Sequence, residues 1–321
     1  MILTLTLNPA LDQTVQLADS LAPGEVQRAV QSSVQAAGKG VNVARAVAQA
    51  GEPTLAVLPG ADDDPLVLAL AADALAYRNI PIEARLRTNI TLADPAGVTT
   101  KINEPGPALE PQTLDQVLAT LIEYAEQASW VVLAGSLPPG VAEDYYLTLT
   151  QALREALGES CPPIAMDTSD APLLALREAN PASLPDLIKP NAQELAELTG
   201  TTQDLEADLQ AAAAAAATLV DRGVGLVLAT LGSAGAVLVS SIQALHAVHE
   251  PVTARSTVGA GDSALAGFLL ASSAGDPLSD CLIRAVAYGS AAVALPGSTI
   301  PTPNDLTVNA VSLRDLHKAK A

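Results

Sequence analysis

Short apolar runs separated by longer amphipathic stretches recur along most of this chain. Residues 2–7, 54–58, 130–134, 163–167 and 187–189 read as strands, mostly without the alternation of a half-exposed one. Between them, 41–50, 65–77, 114–127, 142–157, 171–179, 192–198 and 205–222 read as helices. Val41, Ala44, Val47 and Ala48 show the helical spacing, and Gly51 ends that segment. The uncharged stretch 223–245 is long enough to cross a bilayer, but Gly232-Ser233-Ala234-Gly235 divides it into 226–230 and 236–240. That pattern predicts two buried strands joined by a turn, not a membrane span. Helices over 262–274 and 278–294 complete the series.

Alternating strands and helices imply a mostly parallel sheet covered by helices on both faces. Residues 14–17, 26–34, 85–92 and 97–103 break that rhythm, because polar and apolar positions alternate there. They predict a small separate sheet made by insertions at about 13–36 and 85–105, with a hairpin at Asp94-Pro95-Ala96-Gly97. No repeat or linker interrupts the pattern, so residues 1–321 are expected to form one domain with a β lid.

Composition narrows the function. Hydrophobic residues make up 49% of the chain but aromatics only 2%, so Ala, Leu and Val must fill the core. A net charge of −19 excludes nucleic acid and anionic membrane as expected partners. Any site for a phosphorylated ligand must then be built locally, from backbone N–H groups and a few cations. The lysines are scarce: Lys39, Lys101, Lys189, and the tail residues Lys318 and Lys320, which are expected to be solvated. Cys161 and Cys281 have no metal or disulfide spacing, and His246, His249 and His317 show no ligand pattern. The start of the chain has no basic leader, and with reduced thiols this points to the cytoplasm.

Three segments carry candidate chemistry. In Thr257-Val258-Gly259-Ala260-Gly261-Asp262-Ser263, two glycines let backbone N–H groups converge at a helix N-terminus beside an aspartate. Phosphoryl transfer to a hydroxyl needs those parts, an anion pocket and a base; the bland alternative is a flexible turn with Asp262 as helix cap. The chain has no G-x-x-x-x-G-K-[ST] motif, and the loose dinucleotide pattern at Gly259 is not followed by the required second strand. The second segment, Gly38-Lys39-Gly40-Val41-Asn42, offers N–H groups, a cation and an amide suited to sugar hydroxyls, or is simply a turn. Asp12 could take two vicinal hydroxyls or sit in a surface turn. The third, Lys189-Pro190-Asn191-Ala192-Gln193-Glu194, reads as a capping box, or as a place where Asn191 and Glu194 meet a nucleotide and its metal. Thr230 and Gly232 could line the same nucleotide, while Arg87 and Lys101 on the alternating strands could reach a phosphate or merely guard a sheet edge.

Together these segments resemble a known family. Thr-Val-Gly-Ala-Gly-Asp at 257–262 and Ala-Ala-Gly-Lys-Gly-Val-Asn-Val-Ala at 36–44 resemble the two signatures of ribokinase/PfkB-type sugar kinases. Leu5 to Asp12, Gly135-Ser136-Leu137-Pro138-Pro139-Gly140 and the segment 189–194 follow in that family's order, covering the chain to about residue 300. Asn-Pro-Ala-Leu-Asp and Gly-Lys-Gly-Val-Asn resemble the branch acting on fructose 1-phosphate or tagatose 6-phosphate.

The resemblance implies a ribokinase-like three-layer α/β sandwich whose lid, in this family, often pairs into a homodimer. It implies ATP and Mg²⁺ as cofactors and a sugar phosphate as partner. Fructose 1-phosphate is the expected acceptor, through its C6 hydroxyl; tagatose 6-phosphate or fructose 6-phosphate are alternatives, and a silent sensor is the non-enzymatic one. Asp262 becomes the base, and the N–H groups of Gly259, Ala260 and Gly261 an anion hole. Asp12, Gly38, Gly40 and Asn42 fall to the sugar loop. Arg87, Ser136, Lys39 and Lys101 fall to the substrate phosphate, Lys189, Asn191, Thr230 and Gly232 to ATP, and Glu194 to the metal. The family usually carries a second glycine where this chain has Ala37, whose methyl is expected to narrow the sugar loop.

Overall fold

Successive strand residues point to opposite faces, and the strand Trp130–Ala134 shows what the apolar runs do. Trp130, Val132 and Ala134 enter one buried cluster, and Val131 and Leu133 enter another. Both faces of the sheet are covered, so neither set of positions can be polar.

The computed structural model describes residues 1–316; His317, Lys318 and Lys320 lie outside the described residues. The chain begins β1 (Ile2–Leu5), β2 (Ala10–Leu17), β3 (Ala29–Ala37), α1 (Lys39–Gln49), β4 (Thr54–Pro59), α2 (Pro65–Ala72) and β5 (Tyr77–Ile80). It continues β6 (Arg87–Ala93), β7 (Thr99–Asn103), α3 (Pro111–Ala125), β8 (Trp130–Ala134), α4 (Tyr145–Leu157), β9 (Ile164–Asp167) and α5 (Asp170–Leu174). Then follow β10 (Leu187–Ile188), α6 (Ala192–Thr199), α7 (Leu209–Asp221), β11 (Leu226–Thr230), β12 (Ala236–Val239), β13 (Ala244–His249), α8 (Ala260–Ser273), α9 (Leu278–Ala294) and β14 (Val311–Asp315).

The large sheet has the order β14-β13-β12-β11-β10-β9-β8-β1-β4-β5. It is parallel from β11 to β5 and antiparallel from β11 to β14. Helices α1, α8 and α9 contribute to the cluster on one face, and α3 to α7 to the cluster on the other. The alanines at 211–213 and 215–216 are buried in α7, so that run packs as a helix face. As the alternating segments predict, β3-β2-β6-β7 form a separate four-stranded sheet. Its β6–β7 turn is closed by Asp94, which accepts from Val98 N at 2.9 Å.

Several boundaries differ from the expected ones. The helix expected over 65–77 ends at Ala72; Ala74 takes a left-handed conformation and Leu75 N returns to Leu70 O. The freed residues Tyr77–Ile80 pair with β4, a short polar strand that apolar counting cannot see. The 171–179 helix is α-helical only over Asp170–Leu174 and tightens to a 3₁₀ turn afterwards. Strands β13 and β14 were not foreseen, since pairing rather than composition makes them strands. Among the described residues no helix is long and apolar enough to cross a membrane.

Candidate active site

Because β1, β8, β9, β10 and β11 run parallel, their carboxyl ends share one edge, where α/β sheets usually bind ligands. Asn8 follows β1, Ser136 follows β8, Asp167 ends β9, Lys189 follows β10 and Thr230 ends β11. Helix α1 is hung over this edge by Val41 N donating to Thr6 Oγ1 at 3.1 Å. Gly38 makes that approach possible: its φ is +136°, and a Cβ there would stand 2.7 Å from Thr6 Cγ2.

Asp262 is not the cap of its helix. Gly259, in the left-handed region, is the N-cap of α8, and Asp262 lies buried in the first turn. Its Oδ2 accepts from Asn42 Nδ2 at 2.7 Å. Burial, reinforced by the nearby charge of Asp167, pushes the Asp262 carboxyl up to about 6, against the Asn42 hydrogen bond and the charges of Lys39 and Lys189. Both lysines meet Asp167. Lys39 Nζ donates to its Oδ1 at 2.7 Å, and Lys189 Nζ lies 3.1 Å from Oδ2. Burial opposes the Lys39 charge, but Asp167, joined by the charges of Asp262 and Glu194, outweighs it and holds Lys39 above the ordinary lysine range. Burial likewise opposes the Asp167 charge, and the two lysines still keep its carboxyl below the usual range. Lys189 Nζ also reaches the α8 turn, where a Cβ on Gly261 would meet it at 3.0 Å. Ala260 N makes only a long 3.4 Å bond, to Thr257 O.

A second cluster surrounds Arg87 at the start of β6. Its Nη2 donates to Asn8 O at 2.9 Å and Ser136 Oγ at 3.3 Å, and its Nη1 to Glu104 O at 3.1 Å. Arg87 Nε and Asn8 Oδ1 are buried without hydrogen-bond partners. Asp12, on β2, accepts from Asn89 Nδ2 at 3.1 Å. Burial raises the Asp12 carboxyl despite that bond and the charges of Arg87 and Lys101. Lys101 is exposed on β7, opposite Thr91, and reaches the cluster only through its charge.

On the far side, Asn191 and Glu194 form the capping box, with Asn191 Oδ1 accepting from Glu194 N and Glu194 Oε2 from Asn191 N, both at 2.8 Å. Asn191 bridges to Thr230, and Gly232 sits exposed beyond β11. Among the described residues no group of three or more His, Cys, Asp or Glu could hold a metal ion. His246 is engaged with Ala234 O, and His249 with Glu250 O and Thr307 Oγ1.

Two glycine loops converging on a buried carboxylate match one known family over nearly the whole chain. The pfkB family carbohydrate kinase model covers residues 5–305. The chain belongs to that family. Among pfkB relatives, 1-phosphofructokinase of Rhodobacter capsulatus is 37% identical over 95% of this chain and 94% of its own. ATP-dependent 6-phosphofructokinase isozyme 2 of Mycobacterium tuberculosis is 35% identical over 95% and 87%. Phosphofructokinase-2 of Escherichia coli, solved in complex with substrates and products, superposes with a TM-score of 0.84 at 30% identity, covering 95% of this chain and 96% of that one. The pfkB fold here is thus the ribokinase-like three-layer arrangement that the resemblance implies.

Sequence reasoning passed over Asp167 and Asn8. Asp167 had a usable signal, an aspartate closing an apolar strand at its carboxyl end. Asn8 had none beyond lying in the opening motif, because its partners Pro105 and Ser136 are remote in sequence.

Proposed function

We propose that this pfkB kinase transfers the γ-phosphoryl group of ATP to the C6 hydroxyl of fructose 1-phosphate, giving fructose 1,6-bisphosphate. The observation that carries this reading is the buried Asp262 carboxylate, oriented by Asn42 and poised near neutrality at the N-terminus of α8. A base needs a pKa close to the working pH and a fixed lone pair, and Asp262 has both. Asp262 takes the hydroxyl proton as the C6 oxygen attacks the γ-phosphorus. The N–H groups of Gly259, Ala260 and Gly261 face the charge that develops on the transferring group.

In this reading Asp12, Gly38, Gly40 and Asn42 hold the sugar hydroxyls. Arg87 and Ser136 take the phosphate already on the substrate, with Lys39 and Lys101 adding positive charge. Lys189, Asn191, Thr230 and Gly232 line the ATP site. Mg²⁺ suits this donor set, since it needs only one or two protein carboxylates and keeps water and phosphate oxygens as its other ligands. Glu194 would hold it, oriented by the bond from Asn191 N, and the ion would neutralise phosphate charge. The four-stranded sheet serves as a lid on a single kinase domain, and its exposed valines and isoleucine pair with a second copy. The cytoplasm suits this chemistry.

Fructose 1-phosphate is preferred because the relative from Rhodobacter capsulatus carries that specificity in its name, whereas the Mycobacterium tuberculosis relative is named for the 6-phosphate. An ATP-coupled assay comparing kcat/KM for fructose 1-phosphate, fructose 6-phosphate and tagatose 6-phosphate tests the choice. The highest value is expected for fructose 1-phosphate. Preference for a 6-phosphate overturns the sugar assignment, and sugar binding without turnover of ATP overturns the enzyme.

A further inference from the structure

Asp167 has no role in the chemistry above, yet its carboxylate is completely buried at the centre of the site. Burying a charge is expensive, and an apolar residue often serves stability as well or better. Its contacts are uneven. Oδ1 takes the hydrogen bond from Lys39, while Oδ2 faces Lys189 in an ion pair that lacks hydrogen-bond geometry. Both lysines also lie close enough to act on the charge of Asp262, whose Oδ2 is taken by Asn42. Left to themselves, two ammonium groups beside a carboxylate would pair with it and occupy the lone pair a base must offer.

We propose that Asp167 is a positioning residue for phosphoryl transfer: its two oxygens hold Lys39 and Lys189 away from Asp262, keeping the base open to the sugar hydroxyl. The inference rests on the reading of Asp262 as base. The charged groups facing Asp262 are Asp167 at the end of β9, Lys39 on α1 and Lys189 after β10, with Asn42 as the neutral partner. Glu194 of α6 acts on Lys39 in turn.

The test is the pH profile of kcat/KM in two variants and in their combination. In Asp167→Asn the lysines lose their anchor and turn to Asp262. The plateau should fall on the order of 10- to 100-fold, as is usual for groups that orient others, and the acid limb should move to lower pH. In Lys39→Gln one positive charge leaves Asp262, and the acid limb should move to higher pH. Losing the Asp167 charge lowers the limb by itself, so the plateau decides. Adding Lys39→Gln to Asp167→Asn should recover part of the lost rate if the freed lysine occupies Asp262, whereas a purely structural Asp167 gives no recovery. An unmoved or raised limb in Asp167→Asn, or no recovery of rate in the double variant, therefore overturns the proposal. Should that variant not fold, an unmoved or lowered limb in Lys39→Gln, whose side chain is 30% exposed, does the same. Asp262→Asn separates the two readings, because near-normal turnover there removes the base itself, whatever Asp167 does.

Discussion

Asn42 Nδ2 donates to Asp262 Oδ2 over 2.7 Å, joining two residues 220 positions apart. That bond makes one site of two glycine loops, each of which read alone as an ordinary turn. It also fixes which oxygen of Asp262 remains for a substrate.

The raised pKa of Asp262 predicts the shape of the rate profile. A base works only when deprotonated, so kcat/KM should be level above about pH 6 and fall as pH drops through that value. Asp262→Asn should cost roughly 10²–10⁴-fold in kcat and abolish the limb. The folded-state value lies above the unfolded one, so the stability Asp262 contributes is present in acid and lost as pH rises through 6. Asp262→Asn should therefore raise the melting temperature at pH 8 relative to wild type and leave it nearly unchanged at pH 4.

Gly261→Ala tests the contact between the α8 turn and Lys189. The added methyl would stand 3.0 Å from Lys189 Nζ, so the lysine must give way. Turnover should fall about tenfold or more, with little change in melting temperature, since the far end of a lysine can move cheaply. Unchanged kcat would mean that the position of Lys189 is immaterial.

Arg87→Met should raise KM for the sugar phosphate and leave KM for ATP unchanged. Hydrogen bonds to charged groups are worth about 1.5–3 kcal/mol, or roughly a 10- to 100-fold change in KM. Arg87 also ties the carbonyls of Asn8 and Glu104, so a lower melting temperature should accompany the effect. A rise in both KM values would place Arg87 outside the sugar half.

The outer strands of the second sheet expose Val30, Val34 and Ile102 at 68%, 59% and 53%. Light scattering of the purified chain should give a dimer, and Val34→Asp with Ile102→Asp should give monomers. A wild-type monomer at working concentrations would refute pairing through this sheet.

Much of this architecture was legible along the chain. Unbroken apolar runs such as Trp130–Ala134 imply a doubly covered sheet, and the alternation around β6 and β7 implies a separate one. The strand Tyr77–Ile80 was hidden because its conformation comes from pairing with β4. The Asn191–Glu194 capping box was also visible, since both partners lie within one helical turn. Asp167 and Asn8 were not, since their partners come from other elements.

By itself the sequence determined the layered sheet, the helices and two glycine-rich loops at helix starts, because periodicity and backbone freedom act over a few residues. Tertiary structure alone decided that Asp262 is a buried side chain rather than a helix cap, and that Lys39 and Lys189 share Asp167. Those relations depend on the register of parallel strands, such as Ala134 beside Asp167. Charges interact through space, and their spacing is set only once strands distant in sequence lie side by side.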